Sequence, residues 1–166
     1  MSKKIDAKDL VQRIEKIAKE RMRSADVVDL ASLRGLKVGA QKKTVLIIED
    51  DDTMRAALRR ILESEDLEVR MAADGTQLGS ALDGQPVDLI LLDIGLPWIN
   101  GLELAKLLKE HEALKQIPLV FISGKTTELD VKRGFEAGCD DYIKKPFEVE
   151  KVKKAIRTLL TLNQAE

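Results

Sequence analysis

Residues 87–97, Val-Asp-Leu-Ile-Leu-Leu-Asp-Ile-Gly-Leu-Pro, join a continuous apolar run to one carboxylate, Asp93, near its end. An apolar run of that length, bounded by turn residues, reads as a strand buried on both faces of a parallel sheet. A short buried helix would have the same lack of periodicity. At the carboxyl end of such a strand, Asp93 stands where open α/β sheets hold their ligands. Residues 44–52 repeat the design, an apolar run followed by Glu49, Asp50, Asp51 and Asp52. Two such strands side by side gather Glu49, Asp50 and Asp93 at one edge. Carboxylates that close repel one another unless a proton or a cation intervenes, and hard oxygen donors on a partly hydrated site suit Mg²⁺. Asp51 and Asp52 fit equally well as caps of the next helix.

From Thr44 onward apolar strands alternate with amphipathic helices. Strands are expected near 44–49, 68–72, 87–92, 119–123 and 141–144, and helices near 53–64, 75–82, 101–110, 128–137 and 148–162. Repeated βα units with short links imply a parallel sheet with helices on both faces, because each crossover must return the chain to the same end.

Ahead of this unit, residues 6–23 place Leu10, Ile14, Ile17 and Ala18 at the spacing of an amphipathic helix. Ser24, Asp26 and Asp29 offer a start for a second short helix through Val27, Leu30 and Leu33, with Gly35 as its stop and residues 36–43 as a linker. The expected division is therefore a helical extension, residues 1–43, and an α/β domain, residues 44–166. Charge divides the same way. Residues 1–43 carry twelve Lys and Arg against six Asp and Glu, net +6, whereas the rest carries sixteen against twenty-three, net −7. The basic segment has no aromatic residue for base stacking, so contact with protein is the better reading of its charge.

No apolar run approaches the ~20 residues of a membrane span, and the basic N-terminus lacks a secretory apolar segment, which points to a cytoplasmic protein. The single cysteine, Cys139, excludes an internal disulfide, and one histidine beside it supplies no zinc constellation. Cys139 reads as a small structural residue, and Trp98 as loop packing.

Four strand ends are polar: Glu49 with Asp50, then Asp93, then Ser123 with Gly124, then Lys145 before Pro146. A carboxylate nucleophile can hold a phosphoryl group as an acyl phosphate. Mg²⁺ offsets the oxyanion charge, and a lysine and a hydroxyl take the equatorial oxygens. The ordered set Glu-Asp, Asp-Ile-Gly-Leu-Pro, Ser and Lys-Pro, with Gly-Cys-Asp-Asp-Tyr-Ile-Lys-Lys-Pro-Phe near the end, resembles the receiver domain of two-component response regulators. The resemblance covers about three quarters of the chain, from Thr44 to roughly Leu162.

That resemblance implies a flavodoxin-like fold, a doubly wound five-stranded parallel sheet of order 2-1-3-4-5. It implies that Asp93 is the phosphoacceptor, that Glu49, Asp50 and the Gly95 carbonyl join Asp93 in holding Mg²⁺, and that Lys145 contacts the phosphoryl group. Ser123 would be the switch hydroxyl and Tyr142 the aromatic that turns inward on activation; the Lys145–Pro146 bond would be cis. The phosphoryl donor would be a histidine kinase or a histidine phosphotransfer protein.

Two departures from the family pattern flank the path of an attacking water: Gly95, where many relatives carry a larger side chain, and Lys125, two residues after Ser123. The chain stops just after its last helix. The expectation drawn from that is that no DNA-binding domain takes part and that output runs through a downstream protein partner, the N-terminal helices or a homodimer built from them. Docking of the basic extension on the acidic receiver is the alternative place for its apolar stripe. Two rival functions remain open. One is an aspartate-nucleophile phosphatase, which the absence of a second acid at Gly95 disfavours; the other is a degenerate receiver serving as an interaction module. In the favoured reading the protein is not an enzyme beyond its own phosphorylation and dephosphorylation.

Overall fold

The computed structural model describes residues 7–25, 41–83 and 85–163. Five parallel strands, β1 (Thr44–Ile48), β2 (Glu68–Ala72), β3 (Leu89–Leu92), β4 (Leu119–Ser123) and β5 (Asp141–Lys144), form one sheet of order β2-β1-β3-β4-β5. The helices are α1 (Ala7–Ala25), α2 (Asp52–Glu63), α3 (Gly75–Leu82), α4 (Gly101–Glu110), α5 (Glu128–Glu136) and α6 (Val149–Leu162). The fold is the expected flavodoxin-like one. Every residue of β1, β3 and β4 is buried, which is why these strands read as unbroken apolar runs rather than as alternation.

Successive side chains point to opposite faces of a strand, so each central strand feeds two cores. Val45, Ile47, Leu89, Leu91, Val120 and Ile122 meet Leu58 and Leu62 of α2 and Val152, Ile156 and Leu160 of α6. Leu46, Ile48, Ile90, Leu92, Leu119 and Phe121 meet Leu78 and Leu82 of α3 and Leu104, Ala105 and Leu108 of α4. Asp88, expected inside β3, lies just before it. Its carboxylate instead accepts from the Thr44 amide at 2.8 Å, tying the start of β1 to the approach to β3.

α1 corrects the expectation of a dimer built on its apolar stripe. Leu10 and Ile14 are each 1% exposed and belong to the same core cluster as Leu78, Leu82, Leu104 and Leu108. These two side chains are spent on the chain's own α/β unit, on the side of the sheet that carries α3 and α4. The driving force is removal of apolar surface from water, at ~1.5–3 kcal/mol for each large side chain. The Ile17 and Ala18 side chains, the second short helix and most of the linker fall outside the described residues.

Candidate functional site

The crossovers deliver the polar residues to the carboxyl ends of β1, β3, β4 and β5, where the chain order reverses between β1 and β3. Asp93 follows β3 directly, and its amide donates to the Ile48 carbonyl at 3.0 Å. Glu49 follows β1, its amide held by the Ala72 carbonyl at 3.1 Å. Two ladder-type bonds thus fix the backbones that carry the two carboxylates. Asp51 does cap α2, accepting from the Met54 amide at 2.8 Å, and Asp52 opens that helix paired with Arg55.

Glu49, Asp50 and Asp93 each present a carboxylate oxygen within 4.8 Å of the others. Asp50 is exposed, Glu49 is 2% exposed, and the Asp93 side chain is 11% exposed. Lys145 reaches in from the residue after β5, with Nζ 2.8 Å from Glu49 Oε2 and 3.6 Å from Asp93 Oδ2. Burial pushes the Glu49 carboxyl above its ordinary range, and the Asp93 charge pushes the same way. The bond from Lys145 and the amide of Asp51, 3.1 Å from Glu49 Oε1, oppose them. For Lys145, burial works against the charge, yet the two carboxylates win and its ammonium is held above the usual lysine range.

With all four groups ionised, three carboxylates face one ammonium, leaving two negative charges without a partner in this cluster. An all-oxygen donor set with that deficit, one member open to solvent, fits a hard divalent cation that keeps several waters. The donor set therefore suits Mg²⁺.

Gly95 turns its amide toward Asp93 Oδ1 at 3.2 Å, and a Cβ there would stand 4.0 Å from both Asp93 carboxylate oxygens. Ser123, 1% exposed at the end of β4, accepts from the Lys125 amide at 3.1 Å. The Tyr142 hydroxyl donates to the Lys125 carbonyl at 2.5 Å, so Ser123 and Tyr142 meet on the two sides of one residue. The Lys145–Pro146 bond is cis. Cys139 is buried, and Trp98 packs half-buried with its indole donating to the Ala73 carbonyl at 3.1 Å.

Sequence reasoning passed over three supports of this site. Arg55 donates to the Glu49 carbonyl at 2.9 Å and to that of Asp50 at 3.2 Å, fixing the acidic turn. Asn100 caps α4 by accepting from the Leu102 amide at 2.9 Å. Gly101, next in line, lets the start of α4 pass the Asp93 loop: a Cβ there would fall 2.5 Å from Ile94 Cα and 2.6 Å from the Asp93 carbonyl oxygen. An Asn-Gly pair opening a helix shortly after a strand-end carboxylate was the available signal.

A doubly wound sheet with an acidic, lysine-bridged cleft at its switch point defines a ligand-binding type of α/β domain, and comparison with known proteins makes the class specific. The family model for the response regulator receiver domain matches residues 45–157, and the chain belongs to that family. It is 33% identical over 125 residues to the DNA-binding response regulator MtrA of Mycobacterium tuberculosis, covering 75% of this chain and 54% of MtrA. It is 37% identical over 121 residues to the aerobic respiration control protein ArcA of Escherichia coli, covering 73% of this chain and 50% of ArcA. The crystal structure of a CheY-like receiver domain protein from Methanospirillum hungatei superimposes with a TM-score of 0.67 at 27% identity, over 75% of this chain and 98% of that one.

The chain spans about half the length of the curated relatives it matches. The expectation that output involves no DNA-binding domain is overturned by MtrA, a DNA-binding regulator by name. That expectation rested on where the chain stops, and the position of a chain end does not decide what a receiver controls. Among the described residues, no helix is long and apolar enough to cross a membrane.

Proposed function

We propose that this protein is a phosphorylation-dependent switch in which Asp93 accepts a phosphoryl group from a histidine kinase or a histidine phosphotransfer protein. The observation that carries the reading is the triangle of Glu49, Asp50 and Asp93 closed by the Lys145 ammonium. Asp93 is the carboxylate in it that follows β3, at the switch point of the sheet. Glu49, Asp50, Asp93 and the Gly95 carbonyl are the groups that would hold Mg²⁺, which when bound would neutralise charge on the transferring phosphoryl oxygens. Lys145 would take one of those oxygens, and Ser123 another, with Tyr142 following through Lys125.

Residues 44–166 would be the phosphorylated unit and residues 1–43 an extension of it, in a cytoplasmic protein that turns over nothing but its own acyl phosphate. DNA binding, named for MtrA, is the output to test first. Incubation with radiolabelled acetyl phosphate and Mg²⁺ should give one labelled species, lost on mild alkaline hydrolysis as an acyl phosphate is. Asp93→Asn should abolish it. Undiminished labelling of that variant overturns the assignment, and labelling without any transfer from candidate kinases returns the donor question to other small acyl phosphates.

A further inference from the structure

The acid cleft is framed on its β2 side by one short turn. The Ala72 carbonyl accepts from the Glu49 amide at 3.1 Å, and the Ala73 carbonyl accepts from the Trp98 indole at 3.1 Å. Neighbouring carbonyls of a turn outside the acid triangle therefore hold the end of β1 and the loop that runs on from Asp93. Two further bonds weld this turn to α3: the Ala73 amide donates to Gln77 Oε1 at 2.7 Å, and Asp74 caps the helix by accepting from the Gln77 amide at 2.8 Å. The Asp93 loop is tied as closely to α4. The Gly101 amide donates to the Ile94 carbonyl at 3.0 Å, and the two backbones approach so nearly that a Cβ on Gly101 would fall 2.5 Å from Ile94 Cα.

α3 and α4 are the two helices that α1 packs across. Leu10 and Ile14 share one buried cluster with Leu78 and Leu82 of α3, with Leu104 and Leu108 of α4, and with Ile94 and Leu96 of the Asp93 loop itself. Arg13 lies over Gly79 of α3, its Cζ 3.4 Å from where a Cβ would begin, and Val11 lines one groove with Leu107 of α4. We propose that α1 is a strap that positions the acid cleft: docked across α3 and α4, it holds the turn after β2 and the Asp93 loop in the arrangement that binds a divalent cation. Three carboxylates against one ammonium leave a repulsion that drives the walls of the cleft apart. Lys145 restrains that spreading from the β5 side, and α1 restrains it through α3 and α4 from the other. A cleft held ready in this way loses less of its binding energy to ordering its loops. The coupling is reciprocal, so whatever factor docked α1 adds to cation affinity, the cation adds to the docking of α1. This inference rests on the reading of Glu49, Asp50 and Asp93 as a cation site.

Titration of the full-length protein with Mg²⁺, followed by the amide NMR shifts of Asp93 and Gly95, gives the affinity of the cleft. Leu10→Ala with Ile14→Ala, which frees α1, should weaken it roughly fivefold or more. Leu160→Ala removes buried methylenes from the core on the other face of the sheet and should leave it unchanged. In the wild type, saturating Mg²⁺ should raise the hydrogen-exchange protection of Ala7–Ala25 by the same factor, and this measurement decides should the double variant fold poorly. An affinity unchanged by the release of α1, or weakened equally by Leu160→Ala, overturns the strap, and so does protection of α1 that Mg²⁺ leaves unmoved. In each of those results the cation site itself stands. Absence of Mg²⁺-dependent shifts at Asp93 and Gly95 in the wild type overturns the cation site, and the strap with it.

Discussion

Lys145 bridges Glu49 and Asp93, 2.8 Å from one carboxylate and 3.6 Å from the other, although the three residues come from the ends of different strands. A single ammonium therefore opposes both the cost of burying Glu49 and the repulsion between it and Asp93, without fully cancelling them. Its worth to the fold can be read from pH.

Lys145→Met should lower stability by somewhat less than the ~3–5 kcal/mol of breaking a fully buried pair, because the Lys145 side chain remains 20% exposed and partly screened. Glu49 in the folded chain already holds its proton more tightly than an ordinary glutamate at 4.5. Its contribution is thus most favourable below about 4.5 and declines as pH rises through its raised value, more steeply without Lys145. The gap between variant and wild type, measured by denaturant unfolding in chelator, should be small near pH 4 and widen toward neutrality. A gap independent of pH would show that Lys145 acts by packing alone.

Gly95→Met places a side chain whose Cβ begins 4.0 Å from both Asp93 carboxylate oxygens, across one approach to the acyl phosphate proposed at Asp93. Screening that approach should raise the hydrolytic barrier by about 1 kcal/mol and lengthen the half-life of the phosphorylated form roughly fivefold. An unchanged half-life would shift attention to Lys125, the other departure from the family pattern.

Cys139 is buried against a negatively charged corner, and burial first, with Asp140 and Asp141 adding to it, pushes its thiol up to about 12. Raised from 9.0, the thiolate population at neutral pH falls by on the order of a thousandfold. Alkylation by iodoacetamide should therefore be negligible in the native chain and rapid in denaturant. Because the folded form keeps this proton longer than the unfolded one, stability should fall as pH rises from about 9 through 12, and Cys139→Ala should remove that part of the decline.

The order of elements was legible because β1, β3 and β4 are buried on both faces, so their sequences have no polar interruptions to hide them. Glu49 and Asp93 were legible for a related reason: a carboxylate at the end of such a run is costly unless it has a partner. Asp88 shows the limit. Inside an apolar run it looked like strand, yet its role was set by the Thr44 amide, forty-four residues away. Gly101 and Gly134 were silent because what they do is leave room, for the Asp93 loop in one case and the Tyr142 ring in the other. A missing Cβ leaves no chemical trace in a sequence, and its neighbours are fixed only by the fold. The stripe of α1 announced that it must be buried and could not say against what.

Leu10 and Ile14 answer that question within one chain, and their burial yields the last prediction. Both are 1% exposed among Leu78, Leu82, Leu104 and Leu108, so truncating either to alanine deletes packed methylenes at ~2–5 kcal/mol. Isolated helices of about 15 residues are marginal in water, so α1 depends on its tertiary packing. Leu10→Ala with Ile14→Ala should therefore release α1 while the sheet and α2 to α6 stay folded. Amide hydrogen exchange would show protection lost across Ala7–Ala25 and kept in β1, β3 and β4. Docking through buried apolar side chains should also persist at high salt, which would weaken an attachment made by the basic charges alone. Protection of α1 surviving the double substitution would place its anchor elsewhere. Loss of protection throughout the chain would make α1 part of the cooperative core.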